Sequence, residues 1–180
     1  LTRSPKNKET KYPLSISYCK DSNLVQLNET VSKFKLFKNY IWITGTSKKT
    51  LKYLKKFVLN ISNIKEIKKK DLIVEIASND GSFLNILKNR GFKNILGVDP
   101  AQNLSKISIK NKINTLNKFW DYKLAKHIKK KYGPAKLIIA RNVMSHVSNI
   151  KDVVRGIRIV IDDDGIGLIE FHDASKILKE

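Results

Sequence analysis

Two acidic residues stand at positions where a carboxylate can do chemistry. Glu75 lies within the end of a short apolar run, Leu72-Ile73-Val74-Glu75-Ile76, and Asp99 ends a second one, 24 residues later. An acid about 20 residues beyond the first strand-turn of a nucleotide-type fold holds ribose hydroxyls, because one carboxylate accepts two hydrogen bonds from a diol. The turn between them, Ser78-Asn79-Asp80-Gly81, contains a single glycine. A dinucleotide fingerprint needs several glycines so that a pyrophosphate can approach the backbone. A nucleoside ligand without phosphates fits this turn better. The sulfonium and amino group of S-adenosylmethionine (SAM) also suit acidic neighbours such as Glu75 and Asp80. The alternative is purely structural: both acids meet helix N-termini at strand ends. Spacing alone leaves the two readings open.

The elements around these residues read as an alternating series. Thr44-Gly45-Thr46-Ser47 is a turn ending in a helix cap. Leu51, Leu54, Val58 and Ile61 then form one apolar helical face that frays by Lys68-Lys69-Lys70. A strand over 72–76 is followed by a helix from Ser82 to Arg90, closed by Gly91. A strand over 94–99 leads into a helix started by Pro100. A short strand near 113–115, a helix over 120–132 and a strand over 136–140 come next. A helix over 150–161, an acidic turn Asp162-Asp163-Asp164-Gly165 and a last strand over 166–171 complete the pattern. Alternation of this kind predicts an α/β fold, a mostly parallel sheet with helices on both faces. Ligands of such sheets bind at the carboxyl ends of the strands, at the switch point of strand order. Residues 1–46 read as an irregular segment and 47–180 as the domain that carries the site.

Composition narrows the classes. The 180 residues suffice for one domain with a core and a short appendage. Hydrophobic residues make up 41%, too many for a disordered polycation. No apolar run reaches the roughly 18–20 residues of a membrane span, and no leader is visible, so a cytoplasmic protein is expected. Cys19 is the one cysteine, which excludes an internal disulfide or a multi-cysteine zinc site. The net charge of +20 admits a nucleic-acid partner, but only five of the 36 basic residues are arginine, the residue that reads bases and phosphates bidentately. Nucleic acid is therefore not the favoured partner.

A resemblance sharpens this. Glu75-Ile76-Ala77-Ser78-Asn79-Asp80-Gly81-Ser82-Phe83-Leu84 resembles the E-I-G-S-N-D-G-x-L-L motif of SAM-dependent sugar C-methyltransferases, a family of Rossmann-like class I methyltransferases. Leu96-Gly97-Val98-Asp99-Pro100-Ala101 is similar to the family's L-G-V-E/D-P-A. Phe119-Trp120 matches a paired aromatic. Ile138-Ile139-Ala140-Arg141-Asn142-Val143-Met144-Ser145-His146-Val147 is similar to I-I-A-x-N-V-x-A-H-I. Upstream, Tyr12-Pro13-Leu14, Cys19 and Leu24-Val25-Gln26-Leu27 resemble the end of the family's zinc-binding region, and 36–47 resembles L-F-x-x-Y-x-Y-x-S-x-x-S.

The resemblance implies roles. Ala77, Asn79, Asp80 and Gly81, with Glu75, line the methionine end of SAM. Asp99 holds the ribose, and Pro100 and Phe119 shape the adenine pocket. Asn142 lies near the transferred methyl, and Tyr40 and His146 are the catalytic candidates on the sugar side. Structural packing is the alternative for Tyr40 and Phe119, and a histidine at a helix start or supporting the site from behind is the alternative for His146. The implied substrate is a nucleotide-linked deoxysugar, methylated on carbon, in surface-polysaccharide or antibiotic-sugar synthesis.

Departures from the pattern carry expectations too. Ala77 replaces a glycine, at a cost of about 1 kcal/mol if its φ is positive. Ser22 stands where Cys19 needs a partner, so no zinc is expected. The family's second half, with a Y-H-E-H-like segment thought to supply the base, has only a loose echo in Glu170-Phe171-His172-Asp173. The expected chain is one truncated at both ends, with a companion polypeptide able to supply the missing half. The alternatives are an RNA or DNA methyltransferase, which the absence of an aromatic-proline motif after Asn142 disfavours, and a non-catalytic SAM-binding or partner subunit.

Overall fold

The computed structural model describes residues 10–172. The expectations for 1–9 and for the end of the domain at 173–180 lie outside the described residues. Compactness divides the chain into a small unit ending at Leu36 and a main unit from Phe37. The sequence boundary at 46/47 therefore falls inside the main unit.

The small unit is more regular than its sequence implies. β1 (Ile16–Cys19) pairs antiparallel with β2 (Leu24–Leu27), Ile16 opposite Leu27 and Cys19 opposite Leu24. Asn23 turns the chain with φ 53°, a conformation its short polar side chain tolerates. Hydrogen bonds from Ser22 lower the pKa of the exposed Cys19 thiol. A short helix, α1 (Lys33–Phe37), follows.

In the main unit α2 (Lys48–Ser62) starts where Ser47 caps it, the hydroxyl accepting from Thr50 N at 3.2 Å. Leu54, Val58 and Ile61 are buried along one face, as their spacing predicts. The helix stops at Ser62, short of the lysine run. Asn60, Ser62 and Asn63 cluster there, and such side chains compete for backbone bonds and favour a helix end.

Five strands form one parallel sheet: β3 (Ile73–Ile76), β4 (Ile95–Val98), β5 (Thr115–Leu116), β6 (Ala135–Arg141) and β7 (Ile161–Glu170). Their spatial order is β5-β4-β3-β6-β7. The connecting helices are α3 (Ser82–Asn89), α4 (Gln102–Lys110), α5 (Tyr122–Tyr132) and α6 (Ile150–Val160). Side chains alternate across the strands, so the sheet builds a core on each face. Val74, Ile76, Leu96 and Val98 join Trp120, Leu124, Ile128 and Val153 of the α5/α6 side. Ile73, Ile95, Leu137 and Ile139 join Leu54, Val58, Phe83 and Leu84 of α2 and α3. No helix among the described residues is long and apolar enough to cross a membrane.

The acidic turn expected at 162–165 is instead carried inside β7. Ala135 pairs with Ile161 and Leu137 with Ile166, so the intervening residues bulge out of the ladder. Lys136 holds the bulge through Asp164 Oδ2 at 2.5 Å and the Asp164 carbonyl at 3.1 Å. The ammonium lowers the pKa of the Asp164 carboxyl.

Candidate functional site

Strand order reverses at β3: β4 and β5 lie to one side, β6 and β7 to the other. A crevice at the carboxyl ends of β3 and β6 is the position such sheets reserve for ligands. The chain brings the turn 77–81, Asp99 and Asn142 to this edge, directly after β3, β4 and β6.

The turn is built from left-handed residues. Ala77, Asn79 and Gly81 have φ of 57°, 54° and 75°. Asparagine and glycine accept this region readily, whereas an alanine Cβ costs about 1–2 kcal/mol there. Glycine offsets part of that gain by about 0.4–1 kcal/mol of extra unfolded-state entropy. Ala77→Gly is therefore expected to raise stability by about 0.5–1 kcal/mol, read as a higher urea midpoint at unchanged slope. A lower midpoint would show that the Ala77 methyl packs more than it strains.

Side chains of the turn are bound from within. Asp80 Oδ1 accepts from Ser82 N at 3.2 Å, and Oδ2 accepts from Ser82 Oγ at 2.8 Å, so the residue satisfies the first amide of α3, one position before its Gly81 cap. Oδ2 also accepts from Gly45 N at 3.0 Å. Asn79 Oδ1 accepts from Thr44 N at 3.0 Å and Asp80 N at 2.9 Å, and its Nδ2 donates to the Trp42 carbonyl at 3.0 Å. Residues 42–45 thus form a strap on the turn. A Cβ at Gly45 would stand 2.6 Å from Asp80 Oδ2 and from Ser82 Oγ, so a larger residue there would push both side chains out of place. The motif reading assigned Asn79 and Asp80 to the cofactor, and it did not foresee the strap.

Asp99 is held from three sides. Its Oδ2 accepts from Asn79 N at 2.7 Å and its Oδ1 from Ala101 N at 2.8 Å. Its carbonyl accepts from Ser105 Oγ at 3.0 Å and Asn117 Nδ2 at 2.9 Å. Each carboxylate oxygen keeps a further lone pair for a ligand hydroxyl. Burial pushes the Asp99 carboxyl up to about 6; the two backbone amides oppose the shift, and the charge of Asp80 adds to it.

Glu75 lies beneath the turn, fully buried, opposite Gly97 and Ile139 in the sheet. Its Oε1 accepts from Arg141 Nη2 at 2.7 Å, and among the described residues Oε2, Ser78 Oγ and Arg141 Nε have no hydrogen-bond partner. Arg141 also lies over the Phe83 ring, 4.6 Å from its centroid. Burial outweighs the attraction of Arg141, and Glu75 is raised to about 7, with Asp99 and Asp80 contributing. Glu75, Asp80 and Asp99 therefore feel one another electrostatically. The carboxylates of Asp80 and Asp99 suit a cation such as the sulfonium and ammonium of SAM, while Glu75 already has a cation in Arg141.

Sequence reasoning missed Arg141, Tyr53 and Glu170. Tyr53 Oη donates to Glu170 Oε2 at 2.5 Å, and Asn142 Nδ2 donates to Glu170 Oε1 at 2.7 Å. Arg141 had one legible signal: it is a rare arginine in a lysine-rich chain, one residue before Asn142. Tyr40 and His146 each pack against Phe37, whose ring centroid lies 5.8 Å from Tyr40 and 6.2 Å from His146. The Tyr40 backbone is fixed by Asn103, through bonds of 3.0 and 2.8 Å. Pro100 and Phe119 are half-buried beyond the ends of β4 and β5.

Comparison with known proteins agrees with this architecture. A SAM-dependent methyltransferase from Archaeoglobus fulgidus superposes with a TM-score of 0.57 at 16% identity, covering 69% of this chain and 54% of that one. The plantazolicin methyltransferase BpumL, solved in complex with SAH, gives 0.56 at 13% identity, covering 72% of this chain and 49% of that one. C-methyltransferase NovU of Streptomyces niveus is 26% identical over 172 residues, 95% of this chain and 40% of NovU. The chain spans less than half the length of that relative. Residues 48–179 match the family model described as a methyltransferase domain, and with the Rossmann-like sheet and the acidic site at its switch point, the chain belongs to the SAM-dependent methyltransferase-domain family.

Proposed function

We propose that this chain is the cofactor-binding part of a C-methyltransferase that acts on a nucleotide-linked deoxysugar. The observation that carries the cofactor assignment is the convergence of Asp99, the turn 77–81 and Asn142 at the carboxyl edge of β3, β4 and β6. The acceptor assignment draws its support from the motif set and from the name of NovU, a C-methyltransferase. SAM supplies an electrophilic methyl on a sulfonium when bound.

Asp99 holds the ribose diol through its remaining lone pairs. Pro100 and Phe119 flank the adenine. Ala77, Asn79, Asp80 and Gly81, over Glu75, line the methionine end, and Asn142 lies beside the methyl. Tyr40 and His146, each packed against Phe37, face the sugar. Carbon methylation also needs a base that removes a proton next to a carbonyl. Tyr40 and His146 are the candidates this chain offers near the acceptor, and in this reading a companion polypeptide with a Y-H-E-H-like segment completes the base and orients the acceptor. The polar, soluble acceptor places the proposed reaction in the cytoplasm.

The test offers the chain SAM and a panel of nucleotide-linked keto-deoxysugars, with and without a polypeptide carrying the Y-H-E-H-like segment. The expected product carries one added methyl on carbon, identified by a C–CH₃ resonance. Methylation of tRNA or oligonucleotides instead, with a steep salt dependence, would move the protein to the nucleic-acid reading. SAM binding with no transfer under either condition would leave it a binding subunit.

A further inference from the structure

Asn142 is held in an unusual way. It follows β6 with φ 52°, a left-handed conformation in which asparagine is enriched. Glu170, at the end of the neighbouring β7, grips it twice. The Glu170 carbonyl accepts from Asn142 N, and Glu170 Oε1 accepts from Asn142 Nδ2, both at 2.7 Å. The other carboxylate oxygen accepts from Tyr53 Oη, delivered by α2 from 117 positions away in sequence.

This arrangement decides which end of the Asn142 amide faces which way. An ionised carboxylate only accepts, so the NH₂ group must face Glu170 and the Oδ1 atom must face away from it. With a neutral partner the two ends are nearly interchangeable. Tyr53 removes the remaining freedom, because its hydroxyl occupies Oε2. The phenol is itself pushed up to about 12, by burial and then by Glu170, so it remains a donor throughout the neutral range. Among the described residues Asn142 Oδ1 accepts no hydrogen bond. It is an acceptor fixed in orientation, on the residue that follows strand β6, next to the central strand β3.

We propose that Glu170 is a positioning residue acting through Asn142: it fixes Asn142 Oδ1 toward the sulfonium end of SAM, so that the site distinguishes SAM from its demethylated product. The proposal rests on the SAM-site reading above. An amide oxygen is the negative end of a dipole. It attracts a sulfonium and the polarised C–H bonds of its methyl, and it gains much less from a neutral thioether that carries no methyl.

The test is calorimetric titration of SAM and of SAH into the wild type, Glu170→Gln, Asn142→Gly and the double variant. Glycine keeps the left-handed backbone and removes only the amide. The expected result for Glu170→Gln is a SAM affinity that falls about fivefold more than the SAH affinity, the size of one C–H···O contact. Asn142→Gly should show the same selective loss, and the double variant should lose no more than Asn142→Gly alone. Tyr53→Phe, which leaves the backbone untouched, should give a smaller change of the same sign and serves if Glu170→Gln does not fold. Equal losses for SAM and SAH, or additive losses in the double variant, would overturn the proposal. A wild type that binds neither ligand would instead overturn the SAM-site reading itself.

Discussion

Asp99→Ala is expected to abolish SAM binding that the wild-type chain shows in the micromolar range by calorimetry. The ribose would lose two hydrogen bonds to a charged acceptor, worth about 1.5–3 kcal/mol each. Their sum corresponds to a loss of roughly a hundredfold or more, beyond the calorimetric window. Asp99 also holds the amides of Asn79 and Ala101, so a circular-dichroism melt must show that the variant still folds. Retained micromolar affinity in a folded variant would remove Asp99 from the site.

The same carboxyl gives binding and stability opposite pH dependences. Asp99 titrates at about 6 in the folded chain, above its ordinary 3.8. The folded state therefore holds the proton more tightly than the unfolded state, and ligand-free stability falls as pH rises from about 4 to 6. SAM needs the ionised carboxylate, so its affinity should rise over the same window. In Asp99→Ala both contributions from this residue should vanish.

Arg141→Met is the substitution expected to cost most stability, about 3–5 kcal/mol near pH 8.5, because it strands a buried carboxylate. Glu75 is fully buried and has Arg141 as its one ionic partner among the described residues. Against a total stability of about 5–15 kcal/mol, that loss brings the domain close to unfolding. The penalty should depend on pH. Glu75 titrates at about 7 with Arg141 present, and removing the cation pushes it higher. At pH 5.5 the carboxyl is already protonated and the variant should lose much less; as pH rises the folded state must either ionise Glu75 unpaired or hold its proton at increasing cost. Urea unfolding at the two pH values reads this difference. Adding Glu75→Gln to Arg141→Met should recover most of the stability at pH 8.5, since a neutral amide has no ion to desolvate. An equal loss at both pH values, unrelieved by Glu75→Gln, would assign the effect to lost packing of Arg141 on Phe83.

How much of this was legible beforehand depends on the range of each interaction. The apolar face of α2, the Ser47 cap, the strand-turn-helix around Ser78-Asn79-Asp80-Gly81 and the place of Asp99 after β4 all follow from patterns within a few residues. Periodicity and capping are local properties of backbone geometry, and sequence records them directly. The hairpin of β1 and β2 escaped because its two runs are short and the Asp21-Ser22-Asn23 turn between them lacks the glycine that marks a tight hairpin. The bulge in β7 escaped because an acidic Asp-Asp-Asp-Gly run resembles a plain turn until Lys136 is placed beside it.

The partners of the polar atoms were decided by tertiary structure alone. Arg141 meets Glu75 across 66 residues, Tyr53 meets Glu170 across 117, and the Gly45 amide meets Asp80 across 35. Each pair exists because the strand order β5-β4-β3-β6-β7 sets β6 against β3 and β7 against β6, or because the strap returns to the turn. Sequence by itself determined the α/β alternation and the acidic strand ends that mark a nucleoside-type site. Only the packed sheet decided that Glu75 is paired with Arg141, that Asn79 and Asp80 are tied to residues 42–45, and that Asn142 is held by Glu170. A buried polar group must take whichever partner the topology delivers, because leaving it unpaired costs more than a single local preference can supply.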